Sequence, residues 1–73
     1  MTDTKLLKIK MLEAGDEHPT NALVKILGVS LPTASSKLNG KAQFTQGEIV
    51  TLAAYYGWNY ETVGRVFLRG GGE

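Results

Sequence analysis

The four residues Leu27-Gly28-Val29-Ser30 constrain this chain more than any others. They sit inside Thr20–Gly40, TNALVKILGVSLPTASSKLNG, which reads as a helix, a three-residue turn and a second helix. Each position has a physical task. Leu27 closes the first helix onto the core. Gly28 enters the left-handed backbone region at no steric cost and so ends that helix. Val29 buries in the angle between the helices. Ser30 caps the second helix through its hydroxyl. A sequence built this way must hold two short helices against each other.

The rest of the chain reads as helices of similar length, with no convincing strand. The first runs from Thr4 to Ala14, with Leu6, Leu7, Ile9, Met11 and Leu12 mostly on one side. Asp3 at its start suits the helix dipole, and Gly15 stops it. Asp16–Pro19 reads as a solvated loop. The second helix spans Thr20–Leu27, with Leu23, Ile26 and Leu27 facing inward and Thr20 able to cap. The third spans Leu31–Asn39, with Pro32 in its first turn, where a missing N–H is harmless. Thr45-Gln46-Gly47-Glu48 is a capping box, with Phe44 and Ile49 as its hydrophobic staple. It opens a fourth helix whose Ile49, Leu52, Ala53 and Tyr56 share a face. Gly57 stops that helix. Trp58, cap Asn59 and Val63 repeat the staple ahead of a fifth helix, Tyr60–Phe67, with Gly64 inside it. The expected fold class is all-α, with four or five short helices. One domain covers 1–69, followed by a flexible tail over 70–73.

Seventy-three residues without cysteine bury a small core and have no disulfide or thiolate metal site to staple it. No apolar run approaches the roughly 20 residues a membrane helix needs. Met1–Lys10 lacks the layout of a signal peptide. The expected compartment is the cytoplasm, with no membrane partner. The net charge is only +1. Its distribution says more: every acid falls outside His18–Gly47, which holds Lys25, Lys37 and Lys41. A locally positive face is what phosphate contact requires.

On these residues the chain resembles the phage Cro/repressor type of DNA-binding domain, the lambda-repressor-like fold with a helix-turn-helix. The resemblance is carried by Leu23, Leu27-Gly28-Val29-Ser30, Leu38-Asn39-Gly40-Lys41 and Ala53 with Tyr56-Gly57. It covers Leu6 to Trp58. The run Ser36–Lys41 followed by Phe44-Thr45 looks like small regulators from phages of Gram-positive hosts. The chain departs from the pattern at Thr20, where glutamine is usual. Val24 stands where alanine is usual, and Ala34 replaces a larger aliphatic residue; the two exchange bulk across one contact. Leu31 and Pro32 stand where polar side chains often read bases.

The resemblance implies a sequence-specific transcriptional regulator, bound as a homodimer to double-stranded DNA with its third helix in the major groove. Thr20, Ser30, Leu31, Pro32, Thr33, Ser35, Ser36, Lys37, Asn39 and Lys41 are the expected DNA-contacting residues. Leu31 and Pro32 would touch thymine methyl groups; their alternative is a helix start and a core contact. Lys37 and Lys41 would meet phosphate, and Asn39 would cap its helix, meet the backbone or brace the loop. Val63, Val66, Phe67 and Leu68 either form a dimer interface or pack on the first helix. The aromatics Tyr55, Tyr56, Trp58 and Tyr60 have no interleaved cation, so core packing or association is expected rather than base stacking. His18 is the one histidine, and Asp16 and Glu17 beside it lack ligand spacing, so neither metal nor cofactor is expected. No nucleophile constellation or phosphate loop points to an enzyme. The competing function is a protein-binding modulator or antitoxin of the same fold, acting on another phage regulator.

Overall fold

The computed structural model describes residues 2–68. They form five helices and no strand: α1 (Thr4–Glu13), α2 (Pro19–Leu27), α3 (Leu31–Leu38), α4 (Gln46–Tyr56) and α5 (Tyr60–Phe67). The all-α expectation holds. The proposed tail, 70–73, lies outside the described residues.

Local chemistry sets most boundaries. Asp3 caps α1 by accepting from the Leu6 N–H at 3.0 Å. The α2 start lies one residue earlier than the spacing suggested, at Pro19, whose fixed φ suits the first helical position. His18 occupies the cap position and makes no side-chain cap bond. Thr20 therefore sits inside the first turn and is not the cap. Gly28 ends α2 at φ 71°, its N–H donating to the Val24 carbonyl at 3.0 Å. Ser30 caps α3, accepting from the Thr33 N–H at 3.3 Å and donating to the Thr33 Oγ1 at 2.9 Å. The capping box of α4 is reciprocal: the Glu48 N–H donates to Thr45 Oγ1 at 3.1 Å, and the Thr45 N–H to Glu48 Oε1 at 2.9 Å. Asn59 caps α5 by accepting from the Thr62 N–H at 2.9 Å.

All five helices feed one core. Leu7 and Met11 come from α1, Ala22 and Leu23 from α2, Ala34 and Leu38 from α3, Leu52 from α4, and Val66 and Phe67 from α5. Phe44, before α4, completes it, its ring edge-to-face with Phe67 at 5.3 Å between centroids. Ala34 is fully buried, and Val24 packs against the same core. One expectation fails. Ile9 and Leu12 are about half exposed. Leu7 and Met11, four apart, already fill the inward stripe, and Ile9 lies about 200° around the helix from Leu7. Of the two alternatives for Val66 and Phe67, an interface between copies or packing within the chain, the structure takes the second: both are buried in the chain's own core. The Val66 carbonyl also accepts from the Asp3 N–H at 2.6 Å, tying α5 to the start of α1. Among the described residues, no helix is long and apolar enough to cross a membrane.

Candidate functional site

The helix period divides α3 into two faces. Ala34, Lys37 and Leu38 recur at three- and four-residue spacing and point inward. Leu31, Pro32 and Thr33 are exposed at its start, and Ser35 and Ser36 are half-buried along its side. Leu31 is 54% exposed, which removes the alternative that it tucks into the core. With Pro32 and Ser35 it forms one wall of a groove whose other wall is the start of α2 at Pro19, Thr20 and Asn21, together with Glu17 and His18 before it. The outer face of α3 is therefore small, uncharged and partly apolar.

Lys37 lies elsewhere. It was expected at phosphate, yet only 7% of it is exposed. Its ammonium donates to the Gln43 carbonyl at 2.8 Å and to Glu48 Oε1 at 2.9 Å, and lies 5.4 Å from the centre of the Phe44 ring. Burial alone would raise the Glu48 carboxyl, but the Lys37 ammonium and the Thr45 N–H and hydroxyl outweigh it and hold it below its ordinary value. Lys37 is thus a strut between α3 and α4. The acid-free window that made it look like a phosphate ligand ends one residue before its partner.

The other expected residues fall as follows. Asn39 braces the helix end, its Nδ2 donating to Ser35 Oγ at 3.3 Å. Lys41 is exposed, its backbone N–H held by the Ser36 carbonyl at 2.9 Å. Ser30 and Thr33 spend part of their hydrogen-bonding capacity on each other. Val63 is half-buried and Leu68 exposed.

Two features lay beyond the sequence reading. Asp16 is no free loop acid: it accepts from the Tyr56 hydroxyl across a separation of 40 residues. Burial and then the Asp16 carboxylate raise the Tyr56 hydroxyl well above its ordinary value. The Tyr56 ring also stacks on Trp58, with centroids 4.8 Å apart, so these aromatics pack rather than offer a platform. The second feature is the first turn of α1. A Cβ on Gly40 would stand 3.9 Å from Thr4 Cγ2, so this turn lies against the one that ends α3. It sets Thr4 beside Gly40, the residue before Lys41. Nothing local in the sequence marks either contact, since each depends on how helices distant in the chain pack.

Asp3 caps α1, Glu13 pairs with Lys10, Asp16 with Tyr56, Glu48 with Lys37 and Glu61 with Arg65. Among the described residues, Glu17 is the remaining acid, whereas Lys5, Lys8, Lys25 and Lys41 all lack an acidic partner. Among the same residues, no group of His, Cys, Asp and Glu is placed to hold a metal ion. No family model matches the chain, nor does any curated protein or solved structure.

Proposed function

We propose that this protein is a sequence-specific DNA-binding transcriptional regulator of the phage Cro/repressor type, with the helix-turn-helix formed by α2 and α3. The observation that carries the reading is the combination on α3 and its borders. Its outer face holds exposed Leu31, Pro32 and Thr33 and no acid, while Lys41, just after the helix, is free of an acidic partner. In this reading α3 enters the major groove of double-stranded DNA. Leu31 and Pro32 contact thymine methyl groups, and Thr33, Ser35 and Ser36 offer hydroxyls to base edges. Lys41 contacts phosphate, which positions the unit without reading sequence. Two copies bind half-sites about 34 Å apart. Occupying a promoter represses it.

Salt titration of binding to a selected duplex tests this. Each phosphate contact contributes about 0.9 to the slope of log affinity against log salt. Lys41→Ala lowers that slope by about 1. Binding indifferent to salt would overturn the reading. The second reading, a modulator that binds another regulator protein, is favoured by the exposed apolar pair Leu31-Pro32. Such an apolar contact would be weakly dependent on salt.

A further inference from the structure

Helix α1 carries apolar residues on two sides. Leu7 and Met11 are fully buried in the core, whereas Ile9 is 49% and Leu12 51% exposed. The helix repeat gathers Lys5, Lys8, Ile9 and Leu12 into one arc of about 100° on the side away from Leu7 and Met11. Neighbours within the arc are three or four residues apart, so two lysines occupy one turn and two aliphatic side chains the next. Lys5 is exposed and Lys8 half-buried. Among the described residues neither has an acidic partner. The acid of this helix, Glu13, pairs with Lys10 at 3.8 Å.

Single exposed aliphatic residues are ordinary. Two side by side, next to two unneutralised ammonium groups, are not, and the four together discriminate among occupants. DNA phosphate satisfies the lysines and leaves Ile9 and Leu12 without a contact. A flat anionic membrane also meets Glu13, about 40° round the helix from Ile9, whose side chain is 63% exposed. A second copy of the face brings the same lysines. A helix that carries aliphatic residues on one turn and carboxylates on the next matches both halves at the spacing α1 presents.

We propose that this face of α1 docks an acidic amphipathic helix of a partner protein. The partner's aliphatic side chains lie on Ile9 and Leu12, and its carboxylates, one turn away, meet Lys5 and Lys8. The contact uses neither α2 nor α3, so it adds a protein partner to the regulator reading without resting on it.

Selection from a randomised library of helical peptides, with the whole chain as bait, tests the proposal. Binders are then titrated against the chain and two variants, Lys5→Glu with Lys8→Glu and Ile9→Ser with Leu12→Ser. Circular dichroism confirms that each variant keeps its helices. The expected binders place acids one turn from aliphatic residues. Their Kd rises about tenfold or more in each variant, the scale of losing interface anchors, and lysine-for-glutamate versions of the peptides regain affinity for the charge-reversed chain. A library that yields no binder overturns the proposal, as do binders without acids or binders that neither variant weakens. Capture of the chain by phosphatidylserine vesicles through these four residues would assign the face to lipid. A lower salt slope of DNA binding in the charge-reversed variant would assign Lys5 and Lys8 to phosphate. Either outcome overturns the proposal. Peptide binding by a chain that selects no DNA sequence sinks the regulator reading alone.

Discussion

At Lys37 an ammonium group gives up water for a carbonyl, a carboxylate and an aromatic face. Breaking such a pair leaves Glu48 with less compensation, so Lys37→Met is expected to cost about 2 kcal/mol in chemical denaturation. Pairing it with Glu48→Gln should recover part of that loss, because no carboxylate is then left without its cation. Lys37→Met should leave the salt slope of DNA binding unchanged, in contrast to Lys41→Ala. The same pair sets an acid limit. Glu48 is held below its ordinary value of 4.5, so it binds protons more readily unfolded than folded. Its contribution is complete above that value and is lost as pH falls through the lower folded one. Glu48→Gln should flatten the fall in stability below about pH 4.5, and an unaltered acid limb would contradict the assignment. At Tyr56, removing the hydroxyl with Tyr56→Phe should cost about 1–2 kcal/mol, since a charged acceptor loses its donor. That contribution is complete below the ordinary tyrosine value and is lost only in strong alkali.

Glycine gives opposite predictions within the same kind of element. Gly28 ends α2 at φ 71°, a conformation that costs an L-residue roughly 1 kcal/mol or more. Gly28→Ala should lower stability by about that much. Gly64 lies inside α5, and a Cβ there would meet nothing within 4 Å. Gly64→Ala should raise stability by about 1 kcal/mol, the helix-propensity difference, read as a shift in denaturation midpoint. A loss at Gly64 would mean that the surrounding packing is tighter than described. These positions also mark what the sequence made legible. The turn at Leu27–Ser30, the capping box at Thr45–Glu48 and the cap at Asn59 are local grammar, each set by residues within four positions, and all were readable. The side-chain partners of Lys37 and Asp16 were not. Lys37 follows Ala34 by one turn and so points inward, but its partner Glu48 reaches it only because α4 packs there. The apolar character of α1 likewise did not say which residues go inside, since Leu6, Leu7, Ile9 and Leu12 encircle much of the helix and tertiary contact selects Leu7 and Met11. On α3, period and a proline start left Leu31 open between solvent and core, and the packing of the helix leaves it exposed.

For the whole molecule, five short helices surround one small core. Four lysines without acidic partners lie on α1, on α2 and after α3, while α4 and α5 carry a neutral apolar groove. In the proposed regulator Lys41 meets phosphate beside the helix that reads sequence. The central claim is tested most directly by selecting from randomised duplex DNA at about 0.15 M salt, where exposed charges are screened beyond about 8 Å. The account predicts enrichment of a twofold-symmetric site with half-sites about one helical turn apart, or a multiple of that. A folded protein that enriches no sequence would contradict it.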